Sequence, residues 1–489
     1  MPQSSFSLPE ITPLRQIPPG GRIHLIGVAG VAMAQLAVEL TKQGFQVSGS
    51  DKDFYEPMGT FLRNSSVTLF QGFSGDNLSQ LVDLVVIGNA VSYGNVEVKA
   101  VEERGIPYTC FPRLLEETII TGKRSIVVAG THGKSTTTAL IASTLRKLGA
   151  DPSYFVGGIS QDLPVSLFRG QGSWSVVEGD EYDTAFFAKV PKFAFYKPEI
   201  AIINAIEYDH ADIYPDVESI VKEFRGLLLS IPQTGVALCC IDYPHIKSLL
   251  KDVKASLPCK VVTFGSDANA DLAIKSRKQE GLVQRVHASG AIVGEQEFTI
   301  PLSGLYNAKN ALVTLAVAAI CGYRPEDSKG AIASFKSVKR RQEVRFDAGG
   351  VTLIEDFAHH PTAVQETLLG MREAFPGRKI WAIFEPRSNT SRRKVFQAQY
   401  IEAFKNSDEV VLCQVSAKEI DQGIELIDVP TLSDQIRTMG VSSRCLPDPQ
   451  SIKDFILKNI TTHDVIVVMS NGSFGGLPAA LERELKERG

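Results

Sequence analysis

Cysteine is scarce and unpatterned in this chain. The seven residues Cys110, Cys239, Cys240, Cys259, Cys321, Cys413 and Cys445 are an odd number spread over 489 positions, with no Cys-x-x-Cys spacing. That excludes a disulfide scaffold and the usual thiolate metal knuckle, and fits a reducing compartment such as the cytoplasm. No uncharged apolar run reaches the roughly 18 residues that cross a bilayer. The opening MPQSSFSLPEITPLRQIPPG has neither a basic start nor a long apolar stretch, so export and membrane association are not expected. Positive charge is not in excess either: 51 Lys and Arg against 55 Asp and Glu give a net charge of −4. No polycationic surface is available for nucleic acid or anionic lipid. Hydrophobic residues at 44% and charged residues at 22% exclude a mainly disordered chain. What remains is a globular protein acting on a small molecule or another protein, and at roughly 150 residues per domain its length fits about three domains.

Read for period, short β-branched runs ending in Gly, Asp, Asn or His alternate with longer amphipathic stretches, the rhythm of parallel sheets with helical crossovers. A first series, RIHLIG (22–27), FQVSGSD (45–51), LVVIGNA (84–90) and IPYTCF (106–111), predicts a small doubly wound domain over 1–120. A second opens at RSIVVAGTHGKS (124–135) and runs through WSVVEGDEYD (174–183), IAIINAIEYDH (200–210), VALCC (236–240) and KVVTFG (260–265). From about 270 to 300 it changes to short alternating segments, which predict antiparallel strands beside the parallel sheet. This domain is placed at 121–337. A third series follows the basic stretch KSVKRRQEVR (336–345): VTLIEDF (351–357), KIWAIFEP (379–386), EVVLCQV (409–415) and DVIVVMSNG (464–472), giving a domain over 338–489. The expected fold class is α/β, three domains in tandem.

The strongest local signal is Gly130-Thr131-His132-Gly133-Lys134-Ser135-Thr136, between the strand SIVVA and the helix TTALIASTLRKLG. A Gly-rich turn at a helix start aims backbone N–H groups at an anion, the lysine adds a point charge, and the next hydroxyl can hold magnesium. This is read as a phosphate loop, although Val128 stands where the GxxxxGK[ST] pattern has its first glycine. Magnesium needs further oxygen ligands. Acids at neighbouring strand ends offer them: Glu178, Asp180, Glu181 and Asp183 in one cluster, Asp209 beside His210 in another. Of these, Asp180, Glu181 and Asp183 are expected to be structural.

In the first domain Gly27-Val-Ala-Gly30 follows one strand, and Ser50-Asp51 closes the next about 20 residues on, an arrangement that suits a diphosphate and a ribose. Ala29 interrupts GxGxxG, so a nucleotide diphosphate fits without a nicotinamide. In the third domain Asp356-Phe-Ala-His359-His360 ends a strand; two histidines without a cysteine suit hydrogen bonding better than a metal. Arg387, Asn389, Arg392 and Arg393 follow the next strand, and forked guanidinium groups there suit carboxylates. Cys239 and Cys240 are expected to be buried strand residues.

Taken in order, GVAGVAM, SGSD, GTHGKST, EGDEYD, NAIEYDH, GLYNAKNAL, RRQEVR and DFAHHP resemble the motifs of the Mur ligase family of ATP-dependent peptidoglycan enzymes. The resemblance implies a Rossmann-like N-terminal domain that binds a UDP-sugar. It also implies a central P-loop ATPase domain with a parallel sheet plus a smaller antiparallel one, and a Rossmann-like C-terminal domain for the incoming amino compound. The implied cofactors are ATP and Mg2+. By resemblance Lys134 holds the β- and γ-phosphates within the loop Gly130, Thr131, His132, Gly133, Ser135 and Thr136. Ser135 and Glu178 hold one magnesium and His210 helps hold a second. Asn307 and Asn310 contact adenine, Arg341 and Asp356 approach the phosphates and ribose, and His359 lies near the incoming amine. Gly27, Gly30, Ser50, Asp51 and Asn89 are the implied UDP-sugar contacts. The lysine carbamylated in some members corresponds to Arg225 here.

Within the family, FEPRSNTSRRKVFQ is similar to members that recycle peptidoglycan by joining UDP-N-acetylmuramate to the tripeptide L-alanyl-γ-D-glutamyl-meso-diaminopimelate, with Arg387 and Asn389 as peptide contacts. Members that add free L-alanine are the alternative. The implied partners are therefore UDP-N-acetylmuramate and a murein tripeptide, with no nucleic acid and no membrane. A nicotinamide-dependent dehydrogenase is disfavoured by Ala29, and a nucleotide-switched binding protein by the ordered presence of three sites.

Overall fold

Runs of four to six aliphatic residues bounded by glycine or an acid are too short for helices and become buried strands here, while the amphipathic stretches between them become helices. The computed structural model describes residues 8, 10–78, 81–415 and 423–488. The first seven residues, part of the opening stretch discussed above, lie outside them. The chain divides into two compact units. The first comprises Met1–Glu207, Val217–Asp271 and Val313–Ala331; the second comprises Tyr208–Asp216, Leu272–Leu312 and Ile332–Gly489. Among the described residues no helix is long and apolar enough to cross a membrane.

The first unit opens with a parallel sheet of β1 (Arg22–Ile26), β2 (Gln46–Asp51), β3 (Thr68–Gln71), β4 (Leu84–Ile87) and β5 (Tyr108–Cys110), ordered β3-β2-β1-β4-β5. The order reverses between β1 and β4, and in open α/β sheets such a switch point leaves a ligand crevice at the strand carboxyl ends. Gly27 and Asn89 both follow those ends.

A second sheet in this unit contains β6 (Arg124–Ala129), β7 (Ser153–Phe155), β8 (Leu167–Phe168) and β9 (Trp174–Gly179). After a hairpin of β10 (Asp183–Ala185) and β11 (Ala188–Pro191) it is completed by β12 (Ile200–Ile203), β13 (Val236–Cys240) and β14 (Lys260–Gly265). The order is β14-β13-β12-β6-β9-β7-β8, parallel except between β7 and β8. Central β6 is apolar throughout Ile126–Ala129 because helices cover both faces of such a sheet. Cys239 and Cys240 are buried in β13 as expected, and burial pushes the Cys239 thiol up.

The second unit contains the antiparallel meander expected near 270–300, formed by β15 (Leu272–Glu280), β16 (Val283–Gly290) and β17 (Gly294–Ile300). Its main sheet comprises β18 (Glu343–Ala348), β19 (Val351–Asp356), β20 (Lys379–Phe384), β21 (Glu409–Cys413), β22 (Ser442–Leu446) and β23 (Asp464–Met469), ordered β18-β19-β23-β20-β21-β22. Only β18 runs antiparallel to its neighbour. Successive side chains alternate faces: Ile354, Phe384 and Val467 join one core with Val364, Leu368 and Tyr400, while Leu353, Ile383 and Ile466 join another with Ile456 and Leu481.

Candidate active site

β6 ends between β9 and β12, and the next four residues turn the chain into the helix Lys134–Lys147. Two of them need glycine. Gly130 has φ +125°, and a Cβ there would lie 2.8 Å from the Ala205 nitrogen; Gly133 has φ +81°. No side chain caps the helix start, which suits an anionic ligand at its first N–H groups. Lys134 Nζ reaches back to donate to the Gly130 carbonyl at 2.9 Å and to the Glu181 oxygens at 3.0 and 2.8 Å, with Asp180 at 3.8 Å. Burial alone would push this ammonium down, but the carboxylates of Glu181, Asp180 and Glu178 outweigh it and hold the pKa above its usual value. Asp180 and Glu181, expected to be structural, are thus partners of the loop lysine. Asp183 pairs with Lys189 on the hairpin at 2.8 Å.

Ser135 Oγ donates to Glu178 Oε1 at 3.0 Å, and Glu178 Oε2 accepts from the Gly157 N–H at 2.8 Å. Glu178 sits level with Val128 across the β6–β9 ladder. Burial raises its pKa, against the pull of Lys134. A hydroxyl beside a carboxylate is an all-oxygen donor pair that fits Mg2+. Two further residues of NAIEYDH also contact this loop and its helix. Glu207 Oε2 lies 2.7 Å from His132 Nε2, and Asn204 Nδ2 donates to Thr137 Oγ1 at 2.9 Å. Arg225, on the helix Val217–Ser230, lies 3.6 Å from Asp252.

In the first sheet the turn after β1 is tied to the end of β2. Gly27 N–H and Val28 N–H donate to the Ser50 carbonyl at 2.9 and 3.1 Å, and Ala29 N–H donates to Asp51 Oδ2 at 2.9 Å. Gly30 and Asn89 are exposed. Ser50, an implied sugar contact, is fully buried: its hydroxyl donates to Glu97 Oε2 at 2.5 Å and lies 3.3 Å from His24 Nε2, so it supports the turn from within.

In the second unit Asp209 is buried and accepts from the His210 N–H at 2.7 Å. Burial would raise its pKa, but His210, His360 and His359, with a hydrogen bond from Thr390, hold it well below the carboxylate range. His210 has a left-handed backbone, φ +51°. His360 caps the helix Pro361–Ala374: its Nδ1 accepts from Thr362 N–H at 3.3 Å, which leaves Nε2 to donate to the Tyr208 carbonyl at 3.1 Å. His359 Nδ1 donates to the Phe357 carbonyl at 2.9 Å. His210 is assigned to the second unit, Ser135 and Glu178 to the first.

Asp356 is buried, accepting from Gln342 N–H at 2.8 Å and Ala358 N–H at 2.7 Å, and so closes a loop in which Arg340 and Gln342 have φ of +61° and +49°. Burial raises its pKa against the pull of Arg341, whose guanidinium lies 4.7 Å over the Phe357 ring. Asn307 donates to the Ser303 carbonyl at 2.8 Å and accepts from Asn310 at 3.2 Å, both on one face of the helix Leu305–Ile320. Arg387 is exposed and packs flat on Gly472, where any Cβ would collide with its guanidinium. Asn389 Nδ2 donates to Asp212 at 2.9 Å, while Arg392 is buried.

Three family models match the chain in order: the Mur ligase family catalytic domain over 22–121, the Mur ligase middle domain over 128–318, and the Mur ligase glutamate ligase domain over 340–472. Among curated relatives, UDP-N-acetylmuramate–L-alanyl-γ-D-glutamyl-meso-2,6-diaminoheptandioate ligase of Escherichia coli is 35% identical over 93% of this chain and 96% of its own length. UDP-N-acetylmuramate–L-alanine ligase of Desulforapulum autotrophicum is 32% identical over 94% and 97%. The crystal structure of a murein peptide ligase from Psychrobacter arcticus is similar with a TM-score of 0.71 and 30% identity, covering 95% of this chain and 99% of that one. The chain belongs to the Mur ligase family, and is an ATP-dependent, ADP-forming amide ligase with the three-domain α/β fold of that family.

Proposed function

We propose that the protein joins UDP-N-acetylmuramate to the tripeptide L-alanyl-γ-D-glutamyl-meso-diaminopimelate in cytoplasmic peptidoglycan recycling. A carboxylate resists attack by an amine at neutral pH, so ATP first phosphorylates the lactyl carboxylate. The tripeptide's alanine amine then displaces phosphate from the acyl phosphate. Such transfers depend on positioning and charge neutralisation more than on covalent help from the protein.

Residues 1–120 take the UDP-sugar through Gly27, Gly30, Asp51 and Asn89, residues 121–337 take ATP, and residues 338–489 take the acceptor. The charged Lys134 exchanges its acidic partners for the β- and γ-phosphates, while Gly130, Thr131, His132, Gly133 and Thr136 wrap them. Ser135 and Glu178 would hold Mg2+, with His210 contributing to a second ion; when bound, the metal neutralises phosphate charge. Asn307 and Asn310 serve adenine, Arg341 and Asp356 the phosphates and ribose, and His359 the incoming amine.

The observation that carries the tripeptide reading is Arg387. Its guanidinium is exposed, makes no hydrogen bond or ion pair with a described residue, and is backed by Gly472, as a fork for a peptide carboxylate would be. The second reading, a UDP-N-acetylmuramate:L-alanine ligase, is favoured by the relative of that name at 32% identity. Substituting Arg387→Lys tests the first. It should raise KM for tripeptide about tenfold while leaving the ATP and UDP-sugar constants unchanged, because the contact is remote from the bond being made. An unchanged tripeptide KM would remove the support.

A further inference from the structure

Residues Asn204–Glu207 continue from β12 alongside the phosphate loop and pin it at successive points. Asn204 N–H donates to the Ala129 carbonyl at 3.0 Å and Thr131 N–H to the Ala205 carbonyl at 2.9 Å. Glu207 N–H donates to Thr131 Oγ1 at 3.0 Å, and that hydroxyl lies 3.3 Å from the Glu207 carbonyl, which accepts from it. The last rung joins side chains: His132 Nε2 and Glu207 Oε2 are 2.7 Å apart, with side-chain exposures of 18% and 25%. A carboxylate only accepts, so Nε2 carries the hydrogen, and the ring's tautomer and orientation follow from Glu207.

We propose that Glu207 is a positioning residue for ATP use, acting through His132 and Thr131 to hold the phosphate loop in its binding shape. The inference rests on residues 130–136 being the ATP phosphate site. A loop with left-handed glycines at Gly130 and Gly133 has many conformations to lose on binding. Anchors that fix it beforehand lower that cost. A displacement of about 1 Å in such a site costs on the order of 100-fold in rate. Glu207 itself meets neither substrate; its effect is transmitted by the two loop side chains it grips.

The test is steady-state kinetics of Glu207→Ala, Glu207→Gln, His132→Ala and the double variant Glu207→Ala/His132→Ala. Calorimetric UDP-N-acetylmuramate binding reports whether each variant is folded. Glu207→Ala and His132→Ala should each lower kcat/KM for ATP by about 10- to 100-fold, and the double variant should be no worse than the poorer single one. Glu207→Gln should stay within about threefold of wild type, since its amide oxygen still accepts from Nε2–H. UDP-sugar affinity should not change. Losses that multiply in the double variant, a Glu207→Gln variant as impaired as Glu207→Ala, or a Glu207→Ala variant with wild-type kinetics would overturn the proposal. Retention of ATP use by Lys134→Ala is a different result, which would remove the phosphate-loop reading on which the proposal stands.

Discussion

Lys134 is the cation at the centre of three carboxylates, and removing it has two consequences that can be separated. Ligation should fall by at least about 100-fold in Lys134→Ala, because a charge-assisted contact to a transferring phosphoryl group contributes on the order of 3 kcal/mol in the transition state. UDP-sugar affinity, proposed for the other sheet of the first unit, should hold. Kinetics and calorimetry on the same preparation check both. Glu97 gives a prediction of stability. It is fully buried; burial alone would raise its pKa, but the His24 ring 3.8 Å away and hydrogen bonds from Ser50 and Asn77 outweigh this and lower it. A carboxyl lowered on folding stabilises the protein above its unfolded pKa of about 4.3, and that contribution is lost as pH falls through the folded value. Glu97→Gln should therefore cost about 2 kcal/mol at pH 7, with the gap from wild type narrowing below pH 4 in urea unfolding followed by circular dichroism. A gap that widened on acidification would contradict the sign.

The turns after β1 and β23 carry predictions of their own. A Cβ on Gly30 would meet only the Gly27 carbonyl at 3.7 Å, and its φ of −63° suits any residue. A bulky substitution there should leave the fold and ATP affinity intact while weakening UDP-sugar binding, as titration of each nucleotide would show. Gly472 is the opposite case. A Cβ there lands on Arg387, whose flexible end can move aside, so Gly472→Ala should fold normally yet raise tripeptide KM as Arg387→Lys does. Strands such as LVVI of β4 and DVIVVM of β23 were legible because both faces are buried and the run is unbroken. The half-exposed edges TLFQ of β3, EVRFDA of β18 and SSRCL of β22 carry no such pattern and went unread. The glycine turn at 130–133 and the helix that follows it were legible because their residues are contiguous. The His132–Glu207 contact, 75 residues apart, and the Arg387–Gly472 contact are made by strand order, which spacing does not reveal. The burial of Ser50 was not legible because a serine at a strand end reads the same whether it faces a ligand or the core.

At the scale of the whole molecule, the first unit holds the β1–β5 sheet, proposed for the UDP-sugar, and the β6-centred sheet, proposed for ATP, in one compact body. The hairpin tip residues Phe186 and Phe187 pack on Tyr93 and Tyr108 with ring centroids 5.8 and 5.0 Å apart. The second unit contains Arg387, His359 and His360. An enzyme so divided should consume ATP only when both the sugar and an acceptor are present, which separates it from a nucleotide switch. The most direct measurement is phosphate release by the wild-type enzyme with ATP and UDP-N-acetylmuramate, comparing tripeptide, the L-alanyl-γ-D-glutamate dipeptide, free L-alanine and no acceptor. Release should require an acceptor, with kcat/KM for tripeptide at least about 100-fold above that for L-alanine. Equal or better use of free L-alanine would contradict the tripeptide assignment and make the protein an alanine-adding ligase.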